Sequence, residues 1–160
     1  MMNNIEKTTI TDDIRIESVN ETTQTQAKEL ILQGFMEHFG FLDTSLNPDL
    51  NDIIQNYIKE GYIFLVGVLQ NEVVCCGALI TVNENTGRIV RMSVKKEYRR
   101  NGYASQIIDA LEEMAKVRGY SKIMLKTLQH WSDAVGFYTA KGYVKDKIEG
   151  ESITMIKTLS

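Results

Sequence analysis

Between Lys95 and Ser105 the chain sets four cationic side chains, Lys95, Lys96, Arg99 and Arg100, just ahead of Gly102 and the small residues Ala104 and Ser105. An apolar-faced helix follows, with Ala104, Ile107, Ile108, Leu111, Met114 and Ala115 on one side at helical spacing. The N-terminus of a helix carries backbone N–H groups without intrahelical partners and roughly half a positive charge from the macrodipole. Gly102 and Ala104 let an anion approach that backbone closely. The chemistry this suits is the binding of a di- or triphosphate-bearing ligand. A solvated basic turn before an ordinary helix is the alternative, and residue types alone weigh the two evenly. The segment is neither a Walker loop, since no Gly-Lys-Ser/Thr follows, nor a G-x-G-x-x-G fingerprint.

A second group with chemical potential is the pair Cys75 and Cys76, the only cysteines. Neighbours on a strand point to opposite faces, so the two are badly placed to pair with each other. No further cysteine completes a zinc set, and His38 and His130 lie far apart in sequence. Buried small apolar residues are the favoured reading, and no metal site is expected.

The 160 residues are 43% hydrophobic and 24% charged, with 18 Lys+Arg against 21 Asp+Glu for a net charge of -3. That length and composition suit one soluble domain over 12–160, preceded by a polar, flexible segment at 1–11. The acidic balance argues against a general nucleic-acid binder. The longest apolar stretch, 62–69, falls far short of the ~20 residues that span a bilayer. No signal peptide is visible at the N-terminus, so no membrane partner and a cytoplasmic location are expected.

The elements that must position these residues follow from periodicity. Alternation predicts strands at 13–19, 62–69, 72–82, 88–94, 121–128, 143–148 and 152–159. Helical spacing predicts helices at 21–36, 50–58, from Gly102 to a stop at Gly119, and at 132–140. Gln70-Asn71 reads as a tight hairpin turn and 83–87 as a second turn. The order is that of an α/β chain of the α+β type, built on a mostly antiparallel sheet with one β-α-β crossover between 88 and 128.

With the crossover in place, Arg99-x-x-Gly102-x-Ala104 resembles the Arg/Gln-x-x-Gly-x-Gly/Ala signature of the GNAT superfamily of acetyl-CoA-dependent N-acetyltransferases. It follows Arg91-Met92-Ser93-Val94, which resembles that family's fourth strand. About 35 residues beyond Arg99, Ala134-Val135-Gly136-Phe137-Tyr138-Thr139-Ala140-Lys141-Gly142-Tyr143 is similar to its A-x-x-F/L-Y-x-x-x-G-F/Y segment. Together with the element order, the resemblance covers the chain from Ile14 to Leu159. It implies a GNAT-like mixed sheet of about seven strands, flanked by about four helices and splayed between strands 4 and 5.

What the resemblance implies for function is transfer of an acetyl group from acetyl-CoA, as co-substrate, to a primary amine of a small molecule by direct attack. The backbone of Met92, Ser93 and Val94 would hold the pantetheine arm. The loop Arg99, Arg100, Asn101, Gly102, Tyr103, Ala104 and Ser105 would hold the pyrophosphate. Tyr138 aligns with the tyrosine that donates a hydrogen bond to the CoA sulfur; spacing alone favours a core aromatic, and the resemblance reverses that reading. Acetylation of a protein N-terminus or lysine, and a non-catalytic acyl-CoA-binding sensor, are the alternatives. A homodimer through the C-terminal strands is compatible with the sequence but not indicated by it.

Three positions depart from the family pattern. Arg100 stands where a glycine-like residue is usual, Trp131 where an Asn often contacts CoA, and Arg88 where several relatives carry a Glu base. An amine of pKa near 10.4 must lose a proton at a cost of about 4.6 kcal/mol at pH 7, and the candidates to accept it are Glu37, His38, Asp43, Glu84 and His130. In this family the acceptor pocket is built from the first two helices. Here 24–61 carries Glu29, Glu37, Asp43, Asp49, Asp52 and Glu60 against Lys28 and Lys59, a local balance of -4. That is an acidic rim for a cationic amine or simply two solvated helix faces. Phe35, Phe39, Phe41 and Tyr57 line a pocket or pack the helices, and Arg91 meets a substrate carboxylate or pairs within the fold.

Overall fold

A computed structural model of the chain describes residues 13–40 and 46–160. The flexible segment expected at 1–11, and the acceptor candidates Phe41 and Asp43, lie outside the described residues. The elements in chain order are β1 (Arg15–Ser18), α1 (Gln24–Phe39), a 3-10 turn (Pro48–Asp52) leading into a π turn (Ile54–Ile58), β2 (Ile63–Leu69), β3 (Glu72–Asn83) and β4 (Thr86–Val94). A short 3-10 turn (Lys96–Tyr98) then leads into α2 (Tyr103–Val117), β5 (Lys122–Leu128), α3 (Ser132–Ala140), β6 (Val144–Glu149) and β7 (Ser152–Thr158). The strands form one sheet in the order β1-β2-β3-β4-β5-β7-β6, antiparallel throughout except for the parallel pair β4 and β5.

Local chemistry explains the hairpins. Gln70 and Asn71 both take positive φ, 50° and 69°, the pattern of a two-residue turn whose twist matches that of its strands. The second turn is tighter than expected, because Asn83 pairs with Thr86 and leaves only Glu84 and Asn85 between the strands. The Asn83 side chain accepts the Asn85 N–H at 2.9 Å. The helix expected over 50–58 is present as the 3-10 and π turns. Pro48 opens it, Asn56 and Tyr57 bond back to Asp49 within it, and Asp49 ties it to Arg91 of β4.

Two cores sandwich the sheet. On one face Leu65, Val74, Cys75, Leu79, Ile89 and Ile123 pack against Ile107, Ile108 and Leu111 of α2. On the other face Phe64, Val66, Cys76 and Ala78 pack against Ala27 and Ile31 of α1 and against Leu50, Ile53 and Tyr57. Burial of each large aliphatic side chain contributes about 1.5–3 kcal/mol. The adjacent cysteines thus divide between the two cores, as alternation requires, and both are free thiols.

Candidate active site

β4 and β5 pair only through Thr86 with Lys122, Gly87 with Ile123 and Arg88 with Met124. Beyond that rung β4 goes on pairing with β3 as far as Val94, while β5 goes on pairing with β7 as far as Leu128. Both strands therefore continue without each other, leaving a wedge-shaped opening in the middle of the sheet. Its cause is a β-bulge. Cys76 faces Ser93 and Ala78 faces Val90, so Arg91 and Met92 together oppose Gly77. Arg91 carries the strain of that arrangement, with φ at 59°, and bulges of this kind bend their strand and sharpen its twist. Gly77 is required for it: a Cβ there would sit 2.4 Å from Met92 Sδ and 2.8 Å from Ile107 Cγ2.

Past the opening the chain turns into α2. Arg100 and Gly102 take left-handed φ of 68° and 81°, which swings the backbone round to start the helix. The first bond into the helix runs from the Gln106 N–H to the Gly102 carbonyl at 3.1 Å. The N–H groups of Ala104 and Ser105 thus have no acceptor in a preceding turn. The four cations do not act alike. Arg99 forks onto Glu37 of α1 at 2.7 and 3.2 Å and donates Nε to the Val94 carbonyl at 3.1 Å. Lys95 is paired with Glu72, which also accepts the Tyr98 hydroxyl. Arg100 and Lys96 remain exposed. Asn101 ties the loop to itself through the Tyr98 carbonyl at 2.9 Å.

A further cation, missed in the sequence reading, stands at the same helix start. Lys141, at the end of α3, donates to Ser105 Oγ and to Asp109 Oδ1, each at 2.7 Å. Its position inside the Ala134–Tyr143 motif was visible, but its partner 36 residues away was not.

The other wall of the opening follows β5. Tyr138 packs edge-on against Phe137 and Tyr143, with centroids 5.2 and 6.0 Å away. Burial pushes its hydroxyl up to about 12, and that hydroxyl makes no hydrogen bond among the described residues. Trp131, between β5 and α3, stacks on His38 at 4.2 Å and meets Phe39 at 5.8 Å. The residue that replaces the family's Asn therefore joins the end of α1 to the start of α3. Of the described candidate bases, Glu37 is held by Arg99, and Glu84 sits in the β3–β4 turn, at the opposite end of β4 from the basic loop. His38 and His130 both lie against Trp131.

On the α1 face, Arg91 reaches Asp49 through Nε and Nη2 at 2.8–3.2 Å and Asn47 at 3.0 Å. Tyr57 donates to the same carboxylate at 2.6 Å, and burial together with that acceptor raises its hydroxyl to about 12. Arg91 thus pairs within the fold, and Tyr57 packs edge-on against Phe64. Two of the six acidic residues of 24–61, Glu37 and Asp49, are neutralised by arginines. Cys75 and Cys76 are wholly buried; desolvation lifts Cys75 to about 12 and Cys76 higher still. Neither is a thiolate at neutral pH, so neither is an available nucleophile.

Comparison with known proteins agrees with this geometry. The sequence profile described as "Acetyltransferase (GNAT) family" matches residues 25–143. Human N-acetyltransferase 8B is 31% identical over 111 residues, 66% of this chain and 49% of that protein. Human N-acetylaspartate synthetase is 33% identical over 105 residues, 64% of this chain and 35% of that protein. The chain therefore spans half or less of the length of these relatives. The crystal structure of PaiA N-acetyltransferase from Thermoplasma acidophilum in complex with coenzyme A superposes with a TM-score of 0.79 at 16% identity, covering 91% of this chain and 99% of that one.

Proposed function

The chain belongs to the acetyltransferase (GNAT) family, and from that premise we propose that it moves the acetyl group of acetyl-CoA to a primary amine of a small molecule, by direct attack. The observation that carries the reading is the parting of β4 from β5 beside a basic loop that opens a helix. The edge of β4 around Met92, Ser93 and Val94 offers ladder groups to an extended pantetheine arm. The backbone from Arg100 to Ser105 takes the pyrophosphate, with Arg100 and Lys141 adding charge. Arg99 serves this site indirectly, by bracing the loop against Glu37.

The neutral amine adds to the thioester carbonyl, and the tetrahedral intermediate collapses with cleavage of the C–S bond. Tyr138 donates a hydrogen bond to the sulfur as its charge develops. The amine nitrogen sheds one proton before attack and a second after it; one of these ends on the CoA sulfur. Holding amine and thioester together supplies much of the rate, since effective molarities reach ~10^5 M or more. A small-molecule acceptor is favoured by the relative named for making N-acetylaspartate.

Among the described residues no helix is long and apolar enough to cross a membrane; the cytoplasmic location is part of the proposal. The exposed edge strand β6, with Val144 and Ile148 more than half exposed, is where a homodimer would form.

Trp131 and Arg88, both departures from the family pattern, favour a second reading, an acyl-CoA-binding sensor without turnover. Titration with acetyl-CoA, followed by thiol release against amines and peptides, separates the possibilities. Binding with release on small amines is the expected result. Binding without release on any acceptor would identify the sensor, and release on peptides alone a protein acetyltransferase.

A further inference from the structure

Arg88 is the single buried side-chain donor without a partner among the described residues: its Nε is closed off from solvent and meets no acceptor. Its cross-strand neighbours are Ile80 on β3 and Met124 on β5, and it forms the last rung before the two strands part. Side chains alternate along β4. Ile89 packs into the α2-side core, whereas Val90, two residues after Arg88, packs on the α1 side. Arg88 therefore stands on the α1 face, at the inner end of the opening.

The contrast with Arg91 is informative. Both arginines lie on β4, and the fold surrounds Arg91 with Asp49 and Asn47 but, among the described residues, gives Arg88 no ion-pair or hydrogen-bond partner. A buried polar atom with no partner is rare in folded proteins and calls for an explanation. Among the described residues the terminal nitrogens of Arg88 also make no hydrogen bond, and they are not closed off as Nε is. A guanidinium in this state keeps a planar fork of donors uncommitted on the α1 face beside the last β4–β5 rung, and such a fork receives a carboxylate through two parallel hydrogen bonds.

The acidic balance of the α1 face is also smaller than the sequence suggests. Two of the carboxylates that would have attracted a polycation, Glu37 and Asp49, are already neutralised. We propose that Arg88 binds a carboxylate of the acceptor, so that the acceptor is an amine of the amino-acid class, with its carboxylate a few bonds from the reacting nitrogen. This rests on the acetyl-transfer reading above and adds the substrate class to it. The carboxylate on Arg88 orients the molecule, and its amine faces the thioester held along β4.

The test compares kcat/KM for amino acids and their carboxamides at saturating acetyl-CoA. The intact protein is expected to prefer the acid by about 10-fold or more. In Arg88→Met, which keeps the stem and deletes the fork, the ratio should fall to about one, mainly through KM of the acid. Arg88→Lys should keep part of the preference, because charge remains while the fork is lost. It also serves as the folded variant if Arg88→Met is unstable. Melting temperature is the control: a purely structural arginine would show a lower Tm with an unchanged ratio, which would overturn the proposal. Equal turnover of acids and amides by the intact protein would overturn it too and leave acetyl transfer standing. Failure to bind acetyl-CoA, or to acetylate any amine or peptide, would instead overturn the reading beneath it.

Discussion

Replacing Tyr138 with phenylalanine is expected to lower kcat about 10²-fold while the Kd for acetyl-CoA stays within about twofold. The expectation rests on where the hydroxyl stands and what burial does to it. The ring is fixed by Phe137 and Tyr143, and loss of one oxygen leaves that packing in place. Burial raises the hydroxyl to about 12, whereas a free thiol has a pKa near 8.5. A gap of that size favours hydrogen bonding over full proton transfer in the proposed mechanism. There the phenol would keep its proton and donate a hydrogen bond to the sulfur as charge builds, and the proton that finally resides on sulfur would originate on the amine.

The pH dependence follows with a definite sign. In its proposed role Tyr138 acts in the protonated form, and its raised pKa keeps it protonated well beyond neutrality. The rate should therefore climb with pH as the amine loses its proton, with no fall attributable to Tyr138 below about pH 11. Steady-state kinetics and acetyl-CoA titration on the Phe variant check this. A large loss of affinity with kcat intact would make Tyr138 a packing residue only.

Gly77→Ala is expected to destabilise the fold by about 2 kcal/mol and to weaken acetyl-CoA binding about 10-fold, read by denaturant unfolding and by titration. The added Cβ comes within 3.0 Å of two atoms. Met92 Sδ, at 2.4 Å, is near the end of a flexible chain and can move. Ile107 Cγ2, at 2.8 Å, belongs to a β-branched residue with no exposure at all in the α2 core, and has nowhere to go. The strain is then relieved by flattening the bulge, which draws β4 away from the position that opens the sheet. Loss of stability with unchanged affinity would separate the bulge from the binding site.

The features legible in the sequence were those set by neighbours close along the chain. Alternating and helical periodicities located all seven strands and the long helices. The Gln70-Asn71 hairpin and the basic loop before α2 were read from residue type, and the adjacent cysteines were read as buried on opposite faces of their strand, which is where the two cores hold them. What escaped were tertiary pairings. Charge alone placed Arg99 near phosphates, yet its guanidinium is engaged by Glu37, 62 residues earlier. Arg91 was left between two roles until Asp49, 42 residues away, settled it as an internal partner. Lys141 carried no signal of its own, and the bulge opposite Gly77 depends on Ile107 of α2 pressing from one face. The regular helix expected after Pro48 is formed as 3-10 and π turns, where Tyr57 and Arg91 both bond the Asp49 carboxylate. None of these appears in a local pattern.

Direct transfer in the opening between β4 and β5 is tested most directly by a single-turnover experiment. Protein in excess is mixed with acetyl-CoA labelled in the acetyl group, with and without an amino-acid acceptor, and quenched in acid. The account predicts that label passes from CoA to the amine in one phase, that no label is retained on the protein when the amine is withheld, and that Cys75→Ala/Cys76→Ala behaves alike. Label that accumulates on the protein without acceptor and is then chased onto an added amine would contradict it.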